Sequence, residues 1–190
     1  IIMELKTQNS KLKTKKGFTL IELLIVIGII SILATAVVLV LNPAQLLAQA
    51  RDATRISDLG SLKSAIGLYL ATATSPTVGE TARGTISLTC WFGASCAGAC
   101  AEINATTTVA GGGWIGIDLT GTTGGSSLSA LPLDPSQTAT YQYTYDGNNT
   151  DKTFELNANL ESTKYSGLEA TDGGTCATAY EVGSEPGLDL

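Results

Sequence analysis

The residue most out of keeping with its surroundings is Glu22, the only ionisable side chain between Phe18 and Leu41 in an otherwise apolar run. Hydrocarbon offers a carboxylate neither water nor a partner, so an acid in such a run is read as a functional group whose partner must be found. Four cysteines come next: Cys90, Cys96, Cys100 and Cys176. An even count in an exported segment reads as two disulfides, with three connectivities open. The rival is a metal site built on Cys96-x3-Cys100, but zinc spacing is tighter and paired. Asp134, Asp146, Asn148 and Asp151 carry oxygen ligands of the kind calcium takes. Asp146-x-Asn148-x-x-Asp151 lacks the closing glutamate of an EF-hand loop, and ordinary Asp-Gly-Asn turn chemistry explains it as well. Asp146, Asn148 and Asp151 are kept as calcium candidates, while the reading is of no metal and no cofactor. The chain has no histidine, which excludes triads and zinc sites that depend on imidazole. No other constellation replaces them, and no catalytic residue is expected.

The element that holds Glu22 is a helix. At about 1.5 Å per residue, Phe18–Leu41 is long enough to cross a bilayer core of roughly 30 Å. Five of the 11 Lys+Arg (Lys6, Lys11, Lys13, Lys15, Lys16) and one of the 17 Asp+Glu lie before Gly17. The positive-inside rule therefore places that end in the cytoplasm and the rest outside. The remainder carries 6 basic and 16 acidic residues, which argues against general nucleic-acid binding. A secretory signal peptide would be shorter and followed by a small-residue cleavage site. Here the distinctive boundary, Lys15-Lys16-Gly17-Phe18, precedes the apolar run.

That arrangement, with Gly17-Phe18-Thr19-Leu20-Ile21-Glu22 intact, resembles the leader of type IV pilins and of type II secretion pseudopilins. The resemblance implies cleavage after Gly17 and N-methylation of Phe18 by a prepilin peptidase. Cleavage creates an amine at Phe18, four residues from Glu22. The resemblance implies that Glu22 pairs with the Phe18 amine of a neighbouring subunit and so guides assembly, an internal pair being the competing possibility. Opposite charges in a low-dielectric bundle attract strongly but offset their desolvation only when well paired.

Beyond Leu41, Asn42-Pro43 should kink, loosen or restart the helix. Leu59, Leu62, Ile66 and Tyr69 then recur at helical spacing, with Leu70 beside them, and that face should pack on a globular domain. Arg51, Asp52, Arg55, Asp58 and Lys63 lie off the stripe, as a solvated face or as partners for other subunits. Gly60 and Gly67 weaken the helix, for which close packing against a sheet would account. Strands are expected at 85–92 and 114–119. A hairpin is expected from 139–145 and 152–160 around the turn 146–149. Leu131-Pro132-Leu133-Asp134-Pro135 reads as a rigid turn, and with the Tyr-rich strand after it is similar to the pattern of many pilins and major pseudopilins. The major pseudopilins hold calcium near the corresponding hairpin. Cys176 should tie the acidic tail back to the domain.

The resemblance implies an α+β fold: a long protruding N-terminal helix packed by its C-terminal half on a small antiparallel β-sheet. The expected organisation is a leader peptide at 1–17, the long helix at 18–71 with its membrane and filament-core half at 18–41, and a globular β domain at 72–190. The implied function is a structural subunit, the major pilin, of a homopolymeric helical filament outside the cell. Its precursor would sit in the inner membrane, served by prepilin peptidase and the pilus assembly machinery. The alternative is a pseudopilin of a type II secretion system.

Overall fold

A computed structural model describes residues 17–91, 96, 98–184, 187–188 and 190. The leader lysines and Phe92 lie outside the described residues. The chain divides into two units, residues 1–42 and 43–190.

The first unit holds one helix, α1, Leu20–Leu41. Its segment Leu20–Val38 has a mean hydropathy of 2.7, long and apolar enough to cross a membrane. The apolar side chains described along it are exposed, Phe18 by 81% and Ile32 by 73%. The helix ends at Asn42, which takes the left-handed conformation (φ 41°), a role for which asparagine is second only to glycine. A second helix, α2, Pro43–Thr72, then starts on its proline, where the missing N–H costs nothing. The helical run is therefore two helices with a one-residue break.

The second unit is built on a five-stranded sheet and α2. The strands are β1 Arg83–Gly84, β2 Thr89–Cys90, β3 Gly98–Ala99, β4 Glu102–Ile103, β5 Tyr143–Asn148, β6 Thr153–Ala158 and β7 Tyr180–Gly183. The main sheet runs β4-β1-β5-β6-β7, and β2 pairs with β3 apart from it. Only β1 and β4 are parallel; the other pairs are antiparallel. The molecule is thus α+β, an apolar N-terminal helix followed by a helix and a mostly antiparallel sheet.

The stripe on α2 packs as its spacing predicts: Leu59, Leu62, Ile66 and Tyr69 are buried with Tyr143, Tyr145, Phe154, Leu156 and Ala158 of the hairpin. The hairpin is displaced from its expected position. Asp146, Gly147 and Asn148 pair with Glu155, Phe154 and Thr153, so the turn falls at 149–152, where Lys152 takes φ 59°. The expected strand at 114–119 does not form. Trp114, Ile115, Ile117 and Leu119 instead fill the core from a looped segment, and Trp114 Nε1 donates to the Pro132 carbonyl at 3.0 Å. Hydrophobic content selected this segment for burial, while Gly113, where an added Cβ would fall 2.1 Å from the Thr108 carbonyl, and Gly116 (φ 64°) set a path no strand follows. Within the described part of the expected strand at 85–92, Thr89–Cys90 forms a paired strand.

Side chains alternate across β6, so Glu155 and Asn157 face away from α2. That far face is polar yet buried: Gln142, Thr144, Glu155, Asn157 and Glu181 are each at most 1% exposed. The chain covers it with two stapled segments. Disulfides join Cys90 to Cys100 and Cys96 to Cys176.

Candidate functional site

The N-terminal junction is built around a reciprocal cap. Thr19-Leu20-Ile21-Glu22 has the Thr-x-x-Glu spacing of a capping box, which satisfies orphan amides at a helix start. Glu22 Oε2 accepts from Thr19 N at 2.9 Å and from Thr19 Oγ1 at 2.8 Å, and Glu22 N donates to Thr19 Oγ1 at 3.3 Å. The carboxylate also sits in the first turn, where the helix dipole favours a negative charge. Gly17 is exposed with nothing within 4 Å of the place a Cβ would take, and Phe18 is 81% exposed. The Gly17–Phe18 junction is therefore open, and the acid four residues after Phe18 is held by its own helix cap. The sign of this cap in the sequence is the threonine three residues before Glu22.

A second cluster lies on α2, where the charged face expected to be solvated is largely paired within the chain. Arg55 and Asp52 are fully buried. The Arg55 guanidinium donates to Asp134 Oδ2 at 2.6 Å and Oδ1 at 3.0 Å, to Asp52 Oδ1 at 2.8 Å, to Glu161 Oε1 at 2.6 Å and to Ser136 Oγ at 3.0 Å. Arg51 forks onto the same Glu161, its Nε at 2.9 Å from Oε1. Asp52 accepts from the backbone amides of Glu161 at 2.9 Å and Ser162 at 2.7 Å. Burial alone would lower the Arg55 pKa, but the bonds from Asp134 and Glu161 raise it. Glu161, bonded first of all to Arg51, falls to about 2. Asp58 accepts from the Tyr143 hydroxyl at 2.8 Å, burial raising the pKa of each. Only Lys63 of the five remains exposed. The proline-flanked segment 131–135 delivers Asp134 to this network, where Asp134 Oδ1 also accepts from Ser136 N at 2.7 Å.

The buried polar face carries a third group. Glu155 Oε1 accepts from Asn157 Nδ2 at 2.7 Å, which also donates to the Trp91 carbonyl at 2.7 Å. Glu181 accepts from Cys176 N at 2.7 Å. Burial, with the neighbouring charges of Glu155 and Asp172, pushes Glu181 up to about 8. These residues escaped sequence reasoning; the alternation Tyr180-Glu181-Val182 was the available sign that the tail adds a strand.

The calcium candidates are used within the hairpin end. Asp146 Oδ1 accepts from Gly147 N at 2.7 Å, Asn148 Oδ1 from Thr150 N at 2.9 Å, and Asn148 Nδ2 donates to Asp151 Oδ2 at 3.0 Å. Among the described residues, no group of three or more His, Cys, Asp or Glu is placed to hold a metal ion. The tyrosines divide. Tyr143 and Tyr145 are core residues, and Tyr141 lies 4.9 Å from the Arg55 guanidinium across its ring.

Residues 12–38 match the family model described as the prokaryotic N-terminal methylation motif. That motif is the N-terminal signature of type IV pilins and pseudopilins, and its match here supports a pilin-like or pseudopilin precursor. The motif points to a structural subunit, and with α1 it fits a membrane-anchored precursor processed by a prepilin peptidase. No curated protein and no solved structure matches the chain.

Proposed function

We propose that this chain is the precursor of the major subunit of a type IV pilus filament. Cleavage after Gly17 frees Phe18, which is then methylated, and Glu22 of an incoming subunit meets the Phe18 amine of its neighbour. The observation that supports this best is α1 itself, an apolar helix whose described apolar side chains are exposed, carried behind the methylation motif. In lipid it is an anchor. In a filament, identical helices replace lipid, and head-to-tail contacts that do not close propagate an open helix. Glu22 suits the pairing because both bonds from Thr19 fall on Oε2, which leaves Oε1 able to accept from an ammonium without uncapping the helix. The domain beyond the helix is then displayed outside the cell.

Mass spectrometry of sheared surface filaments tests the reading: the subunit should begin at N-methylated Phe18. The Glu22→Ala variant should be cleaved normally yet give no filaments. Residues 1–17 retained in the filament, or normal filaments from that variant, would refute it; filaments confined to the periplasm would favour the secretion pseudopilin.

A further inference from the structure

We infer that Asn104 is an acceptor for N-linked oligosaccharide. Of the seven asparagines, only Asn104 and Asn148 begin an Asn-x-Thr triplet, and each has an acid two residues before it: Glu102-Ile103-Asn104-Ala105-Thr106 and Asp146-Gly147-Asn148-Asn149-Thr150. Asn-x-Ser/Thr is the acceptor triplet of exported surface loops. A carboxylate at −2 adds a negative end that a transferase groove with a basic residue would select. The structure separates the two sites.

Asn104 directly follows β4, the outer strand of the sheet. The side chains of the pentapeptide are accessible, Glu102, Ala105 and Thr106 being exposed and Ile103 54% exposed. Its backbone is anchored by Asn104 N donating to the Gly84 carbonyl and Trp114 N to the Thr106 carbonyl, each at 3.0 Å, and the Glu102 carboxylate accepts from Arg83 Nε at 3.0 Å. Thr106 N donates to Asn104 Oδ1 at 2.8 Å, so the amide and the hydroxyl residue of the triplet already face one turn. The Asn104 Nδ2 bonds among the described residues are long, 3.3 Å to the Gly112 carbonyl and 3.4 Å to that of Gly113. An edge strand offers unpaired backbone to an extended-peptide groove. Asn148 is held more closely. It is paired with Thr153 inside the hairpin, its Oδ1 takes two backbone amides and its Nδ2 donates to Asp151 at 3.0 Å. The next residue, Asn149, is held by Val78 N and Lys152 Nζ. Modification there requires the hairpin to open.

The reaction is a substitution at a sugar's anomeric carbon. Nδ2 of Asn104 forms the C1–N bond, the C1–O bond to a polyprenyl diphosphate carrier breaks, and the diphosphate leaves with the electron pair. Nδ2 loses one proton to a base of the transferase. The inference rests on the domain being outside the cytoplasm, as proposed above.

The test co-produces the full chain in a bacterial host with a periplasmic oligosaccharyltransferase and a defined undecaprenyl-diphosphate heptasaccharide. Only subunit whose four cysteines resist alkylation is analysed, so export is established independently of the glycan. Chymotryptic cleavage at Trp91 and Trp114 separates Asn104 from Asn148. One heptasaccharide is expected on the Asn104 peptide, retained in Thr106→Ser and Asn148→Gln, lost in Thr106→Ala, and at least tenfold reduced in Glu102→Gln. Oxidised subunit bare at Asn104, a glycan on Asn148 alone, or one surviving Thr106→Ala would overturn it.

Discussion

Arg55 makes the sharpest residue-scale case, because a guanidinium with no exposed surface is stable only if its donors are matched. Its bonds to Asp134, Asp52, Glu161 and Ser136 tie α2 to the 134–136 turn and to the segment after β6. Removing one partner of a buried pair leaves the others charged and dry, at a cost of roughly 3–5 kcal/mol. Arg55→Ala should therefore lower the stability of the detergent-solubilised chain by about that much, read from urea denaturation. Arg55→Lys should recover little, since an ammonium cannot fork onto Asp134 as the guanidinium does. A loss under 1 kcal/mol for the alanine variant would show that the network is not needed to hold α2. The burial of Arg55 was illegible in the sequence for a physical reason: its main partner lies 79 residues away, and periodicity reports only which apolar residues share a face. Glu22 was legible as an oddity within its apolar run, but its cap was hidden until Thr19 was considered with it.

At the scale of elements, local patterns were readable where one interaction dominates. The stripe Leu59, Leu62, Ile66, Tyr69 defined the buried face of α2, and the break at Asn42-Pro43 followed from proline's missing donor. The loop at 114–119 and the two-residue strands β1 and β4 were not readable, because contacts distant in sequence form them. Gly60 and Gly67 were expected to let the sheet approach; the structure instead leaves both open, with nothing within 4 Å of an added Cβ. They alternate with Ala53, Ser57, Ser64 and Ala71 on the exposed face of the helix. Within one subunit each glycine only weakens the helix, so Gly60→Ala and Gly67→Ala should each stabilise it by up to about 1 kcal/mol. In the filament proposed above, the same methyl groups would hold a neighbour away. The double variant should show a higher midpoint as isolated subunit and sparse filaments by electron microscopy. Raised stability with normal filaments would assign that face to solvent.

For the whole molecule, the two disulfides act on the sheet's polar face, and they do not act equally. Cys90–Cys100 closes a separation of 10 residues and Cys96–Cys176 one of 80, for which loop-closure entropy gives about 2.8 and about 4.5 kcal/mol. The longer bridge also fastens the segment that covers Glu155 and Glu181, Cys176 N bonding Glu181 directly. Glu181 keeps its proton in the folded chain up to about pH 8, against an ordinary value of 4.5. A raised acid binds its proton more tightly when folded, so its contribution is complete below about pH 4.5 and is lost as pH rises to about 8. The slope there is at most about 1.4 kcal/mol per pH unit. Urea denaturation of the intact chain between pH 5 and 8 should show stability falling, and Glu181→Gln should flatten the profile. Cys96→Ser/Cys176→Ser should cost more than Cys90→Ser/Cys100→Ser and also reduce the slope, because water reaches the acid pair once its cover is released. Equal losses from the two pairs, with the slope unchanged, would mean that the cover is held by its hydrogen bonds and not by the longer bridge.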